Sequence, residues 1–186
     1  GCSPISKQFE GFYCSSISND HDKKISNSFE PFFYINLEIS KLAHNATLEQ
    51  ALTNFTAPEI LDDYQNEKYS DTTEFQKEIR FINLPSELII MFKRFDNMGN
   101  KINKRINYPF TLNMTPYCVG YKRNHNIQYE LYGVCVHMGI LEGGHYYTFV
   151  KNFKNQWINY DDRQCRVLSD EQISKVISTS AYILFY

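Results

Sequence analysis

Three runs set close together, Tyr129–Gly139, Gly143–Phe149 and Trp157–Asp162, constrain this chain more than any other feature. In the first, Tyr132, Val134, Val136 and Met138 point one way and Leu131, Gly133, Cys135 and His137 the other, the period of a strand. The next two are joined so briefly that they fold as an antiparallel hairpin. Pairing Lys151 with Asn155 across the turn Asn152-Phe153-Lys154 sets Phe149 opposite Trp157, Tyr147 opposite Asn159 and His145 opposite Asp161, all on one face. Directly opposed Cβ atoms lie about 4.5–5.5 Å apart. A one-residue slip brings Tyr160 or Asp162 opposite instead. A carboxylate beside an imidazole fixes its tautomer and stabilises the imidazolium, usually in service of a Ser or Cys nucleophile or a metal. The same two residues can also meet on an exposed sheet with no chemical consequence. Gly143 and Gly144, just before His145, leave room for backbone or substrate to approach.

The remaining elements read as scaffold. Residues 1–28 are polar and Ser/Asn-rich, a loop with a short strand around Phe12–Ile17. Phe33, Ile35, Leu37 and Ile39 alternate within a half-buried strand over Phe29–Ile39. Thr47-Leu48-Glu49-Gln50 is a capping box, opening a helix that carries Leu48, Ala51, Leu52 and Phe55 and ends at Pro58. Strands follow at Phe75–Phe81 and Leu88–Phe92. Alternating Ile102, Lys104 and Ile106 give another over Lys101–Tyr108. Gly139–Gly144 is a loop. Ser169-Asp170-Glu171-Gln172 opens a second capped helix through about Ile177, and Ala181–Tyr186 is a closing strand. The sum is an α+β fold, mostly antiparallel β with two or more short helices.

Composition narrows the function classes. A net charge of -2 over 186 residues offers no electrostatic footprint for nucleic acid or anionic lipid. No apolar run approaches the roughly eighteen residues a membrane span needs. Cys2, Cys14, Cys118, Cys135 and Cys165 are scattered, with no CxxC pair to indicate a disulfide framework or a zinc site. Three Asn-x-Thr sequons, at Asn45, Asn54 and Asn113, come without a signal peptide and read as idle matches. The expected setting is the cytoplasm or nucleus.

Several ordered motifs together resemble a known family. Tyr129-Glu130-Leu131-Tyr132-Gly133-Val134, His137-Met138-Gly139, Gly143-Gly144-His145-Tyr146, Trp157, Tyr160-Asp161-Asp162 and Ala181-Tyr182-Ile183-Leu184-Phe185-Tyr186 resemble the histidine box of the ubiquitin-specific proteases. Leu84-Pro85-Ser86-Glu87-Leu88 through Phe95, then Lys101 and Tyr108-Pro109-Phe110, resemble that family's preceding strands. The resemblance implies a papain-like cysteine peptidase with thumb, palm and fingers, which removes ubiquitin from proteins and needs no cofactor. It implies His145 as general base, Asp161 as the residue that orients it, and Asp162 as an assisting acid. His137, Tyr146 and Phe95, with Gly143 and Gly144, would line the channel for ubiquitin's C-terminal tail, bordered by a mobile Gly139–Gly144 loop. Residues 1–74 would form the fingers and adjoining palm, and 75–186 the palm.

Two departures shape the expectation. The family's cysteine box, Gly-Asn-Thr-Cys-Tyr, is absent, and no cysteine here sits in a thiolate-stabilising context. Cys2, before Ser3-Pro4, comes nearest. The paired cysteines that hold zinc in many members' fingers are also missing, so no metal is expected and the fingers must be held by side-chain packing. The nucleophile then belongs to an N-terminal thumb, missing from this sequence or supplied as a separate piece. The chain alone would be inactive. The alternative is an inactive ubiquitin-binding pseudoenzyme or scaffold module.

Overall fold

The computed structural model describes residues 3–20, 25–62, 64, 66–69, 73–120, 126–178 and 180–186. The chain opens with helix α1 (Pro4–Phe9), strands β1 (Gly11–Asn19), β2 (Ser26–Phe32), β3 (Ile35–Glu38) and β4 (Ala46–Thr47), then helix α2 (Leu48–Thr56). Next come β5 (Glu59–Ile60), β6 (Phe75–Asn83), β7 (Ile89–Lys93), β8 (Ile106–Asn107), β9 (Thr111–Asn113) and β10 (Gln128–Glu130). The C-terminal part holds β11 (Gly133–Ile140), β12 (Gly143–Lys151), β13 (Trp157–Asp161), β14 (Gln164–Val167), α3 (Asp170–Ser178) and β15 (Ala181–Phe185).

One seven-stranded sheet runs in the order β14-β13-β12-β11-β15-β7-β3, antiparallel except for the β3–β7 edge pair. A four-stranded sheet runs β2-β1-β6-β5, so β6 joins the segments preceding residue 75 rather than the large sheet. The core is continuous, with Leu37, Ile39, Leu48, Leu52, Phe81, Leu88, Ile90, Phe92 and Leu184 all fully buried. Helix α2 follows its capping signal. Gln50 N–H donates to Thr47 Oγ1 at 3.2 Å and Thr47 N–H to Gln50 Oε1 at 2.9 Å, while Leu48, Ala51 and Leu52 face the core. Aromatic packing holds the four-stranded sheet to its neighbours: Phe32 meets Tyr13 and Phe81, and Phe55 stacks on Phe81 at 6.0 Å between centroids.

The structure corrects four sequence expectations. The N-terminal 28 residues are not mostly loop. Ser3 and Ser6 cap α1 reciprocally, with Pro4 in its first turn, and β1 and β2 pair from Gly11↔Phe32 to Ile17↔Ser26. The single strand over Phe29–Ile39 is two strands in two sheets. Phe33 and Tyr34 both face outward, 45% and 50% exposed, which breaks the alternation. Pro31 has no N–H to donate and sits in β2, an edge strand. Lys101–Tyr108 is irregular before β8 because its carbonyls are already taken: Arg94 binds those of Ile102 and Lys104, and Asn45 N–H that of Arg105. The run Tyr129–Gly139 breaks at Leu131 and Tyr132, whose N–H groups turn to Phe110 and Phe185 carbonyls.

Candidate active site

The hairpin β12–β13 carries the histidine and the acid, in a register different from the one expected. Lys151 pairs with Trp157 and Thr148 with Tyr160, so the turn is Phe153-Lys154-Asn155, one residue later than expected. Asn155 takes φ 60°, a left-handed conformation Asn tolerates, and Asn152 Oδ1 accepts from the N–H groups of Lys154 and Gln156. The pairing is thereby offset by two, an even number, so His145 and Asp161 stay on one face as a diagonal pair. Asp161 reaches back along the strand, and its Oδ1 lies 2.5 Å from His145 Nε2. Asp162, at φ 49° in the turn to β14, brings Oδ2 to 4.0 Å from His145 Nδ1.

This geometry assigns the imidazole nitrogens. A carboxylate oxygen accepts, so Nε2 carries the proton and Nδ1 keeps its lone pair, available to take a proton from a nucleophile. The side chains of His145 and Asp161 are 39% and 42% exposed. Tyr147 packs beside Asp161; burial and that carboxylate both push its phenol pKa up. Among the described residues, the ligand atoms of His145, Asp161 and Asp162 lie within 4.8 Å of one another. That trio offers fewer donors than the four of a structural zinc site.

None of the four described cysteines faces His145. Cys135 pairs with Thr148, whereas Met138 pairs with His145; the odd offset puts the thiol on the opposite face of the sheet. Burial also pushes the Cys135 pKa up, against thiolate formation. Cys165 pairs with Tyr160 and so turns away from the Asp161 face. Cys14 is buried in β1, and Cys118 is buried with its Sγ donating to the Met114 carbonyl. Cys2 lies outside the described residues.

The residues assigned to a tail channel gather on the other face of β11 and β12. His137 is the hub, its ring 5.8 Å from Phe95 and 4.6 Å from Tyr146 between centroids. Tyr146 is 53% exposed, but His137 only 6%. Sequence reasoning missed Tyr182, whose ring lies 5.9 Å from His137. It also missed the part played by Lys101, whose Nζ donates to the His137 carbonyl at 2.7 Å. Gly144 makes the packing possible, because a Cβ there would overlap His137 Nε2 and the Met138 carbonyl. The loop expected over Gly139–Gly144 is instead a tight hairpin: Ile140 pairs with Gly143 around Leu141-Glu142, with Gly139 at φ 126°.

Burial, then the Lys101 ammonium, pulls the His137 pKa below its ordinary value. The unfolded chain therefore binds this proton at a pH where the folded one does not. The His137 contribution is complete above the unfolded value of about 6.5 and is lost as pH falls toward the depressed folded value. Urea midpoints at pH 7.5 and 5.5 should fall more steeply in the parent protein than in His137→Gln.

A family profile described as ubiquitin carboxyl-terminal hydrolase matches residues 1–186. Ubiquitin carboxyl-terminal hydrolase 23 of Arabidopsis thaliana is 32% identical over 188 residues, covering 98% of this chain and 21% of that protein. Ubiquitin carboxyl-terminal hydrolase 17-like protein 12 of Homo sapiens is 33% identical over 187 residues, covering 98% of this chain and 34% of that protein. Among solved structures, a chain of the yeast SAGA DUBm with an Sgf73 mutant superposes with TM-score 0.85 at 30% identity, over 98% of this chain and 41% of that one. A chain of the SAGA Ubp8/Sgf11/Sus1/Sgf73 DUB module bound to ubiquitin aldehyde gives TM-score 0.83 at 30% identity, over 98% and 42%. This chain thus spans well under half the length of each of these relatives. With a profile that runs its whole length and relatives above 30% identity across nearly all of it, the chain belongs to the ubiquitin carboxyl-terminal hydrolase family.

Proposed function

We propose that this chain is the palm and fingers of a cysteine-type deubiquitinase, and that it supplies the base and the orienting acid of a Cys-His-Asp triad. The observation that carries the reading is the 2.5 Å contact of Asp161 with His145 Nε2, which leaves the lone pair on Nδ1. A thiol on the thumb, from a preceding segment or a separate piece, gives its proton to Nδ1. The thiolate attacks the carbonyl carbon of ubiquitin's terminal glycine. The imidazolium, stabilised by Asp161 and assisted by Asp162, protonates the leaving amine, and the thioester remains. Water then adds with its proton passing to Nδ1, and free ubiquitin departs. No cofactor enters these steps.

Tyr146, Gly143, Gly144 and Phe95 line the path of ubiquitin's tail in this proposal, with His137 supporting Tyr146 from beneath. Residues 1–74 form the fingers and adjoining palm that grip ubiquitin's body, and residues 75–186 the palm. Cys14, Cys118, Cys135 and Cys165 are outside any disulfide, which suits a reducing compartment, the cytoplasm or nucleus. No helix among the described residues is long and apolar enough to cross a membrane. The test is to treat the full-length protein with ubiquitin bearing a C-terminal electrophile and map the adduct by mass spectrometry. The expected adduct lies on a cysteine other than Cys14, Cys118, Cys135 or Cys165. An adduct on one of those four, or none at all, overturns the catalytic reading; none with ubiquitin still bound would favour the pseudoenzyme.

A further inference from the structure

Arg94 is a buried cation that no part of the proposed mechanism uses. It is 2% exposed, although it directly follows β7. Its Nε donates to the Ala181 carbonyl at 2.6 Å, and its Nη1 to those of Ile102 at 3.1 Å and Lys104 at 2.7 Å. Its Nη2 is buried with no hydrogen-bond partner. A buried donor left unpaired is destabilising, and more so on a charged group. Arg94 lines a cavity of about 510 Å³ beside the end of β15, together with Lys101, Asn103, His137 and Ser180. No Asp or Glu lines it. Lys101 reaches the His137 carbonyl and approaches Nδ1 at 3.4 Å, and the nearness of Arg94 lowers the Lys101 pKa in addition to burial. Arg94 and Lys101 are the cationic groups of this lining, and the buried donor there without a partner is Arg94 Nη2.

We infer that this cavity is a carboxylate site, with one carboxylate oxygen on Arg94 Nη2 and the other on Lys101 Nζ. Only Nη2 of the guanidinium is free, so a fork-to-fork pair is ruled out and the second charge must come from Lys101. Two sources share this chemistry: a small free acid, or an Asp or Glu side chain from elsewhere in the full-length protein. His137 reports on occupancy. The titratable groups facing it are Lys101, Tyr146 and Tyr182, with Arg94 across the cavity, and none is a carboxylate.

The experiment follows the His137 imidazole proton resonances of the full-length protein while acetate replaces chloride at constant ionic strength. A saturable shift and a rise in the His137 midpoint are expected, with acetate affinity about tenfold weaker in Lys101→Gln, the loss of one charge-assisted hydrogen bond. A silent titration with a His137 midpoint above the ordinary value of about 6.5 assigns the site to a carboxylate of the polypeptide itself. A silent titration with the midpoint below that value overturns the inference.

Discussion

Replacing His145 with alanine should lower turnover of a fluorogenic ubiquitin C-terminal substrate by the full-length protein about 10²- to 10⁴-fold, with unfolding midpoints little changed. The side chain is 39% exposed, and its polar partners, Asp161 and Asp162, are themselves open to water. Removal therefore leaves no buried group unsatisfied and creates no closed cavity. What disappears is the acceptor at Nδ1 and the imidazolium that would sit beside the thiolate. Asp161→Asn is expected to do less harm. Its amide oxygen can still accept from Nε2–H, but its amide nitrogen can also donate, so the tautomer is no longer fixed and the imidazolium loses a countercharge. A parent-like rate for His145→Ala would remove the base from the proposed mechanism.

Gly144→Ala should be strongly damaging although it adds a single methyl. The added carbon meets two atoms at once, the ring nitrogen of a buried histidine and a backbone carbonyl in the paired strand, and neither can swing aside. Strand β12 must move away from β11 at the residue before His145. Overpacking of this kind costs about 1–3 kcal/mol. A shift near 1 Å at a catalytic group costs roughly 10²-fold in rate. Denaturant titration and the same fluorogenic assay check both figures. For the denaturant titration Gly143→Ala is the control, because a Cβ there meets nothing within 4 Å. If the two variants behave alike, the close approach of Gly144 to His137 does not matter.

The dyad was legible because its signal is parity. Offsetting the β12–β13 pairing by two residues changed every partner, yet kept His145 and Asp161 on a common face. The turn itself was misplaced because Asn155 was not weighed as a residue that accepts a positive φ. Reciprocal caps around Thr47 and Gln50 were readable, being local chemistry of four adjacent residues. Helix α1 escaped notice because it buries none of its residues and so shows no apolar stripe. Arg94 was illegible for a different reason. A basic residue after an apolar run reads as the strand's exit to solvent, and only the carbonyls of Ala181, Ile102 and Lys104, gathered from distant segments, make it an interior residue.

The placement of β15 has a consequence for biosynthesis. It is last in sequence but lies inside the large sheet, pairing with β11 on one side and β7 on the other, while Tyr186 exchanges both backbone hydrogen bonds with Leu88. The β12–β13 hairpin can form as soon as residue 161 has emerged from the ribosome, since its strands are neighbours. The two halves of the sheet cannot join until residue 186 is free of the exit tunnel. For that interval a nascent chain holds two open strand edges, those of β11 and β7, that await β15 and can instead take up a strand of a neighbouring nascent chain. Docking of β15 thus decides whether the sheet closes within one chain or between neighbouring chains.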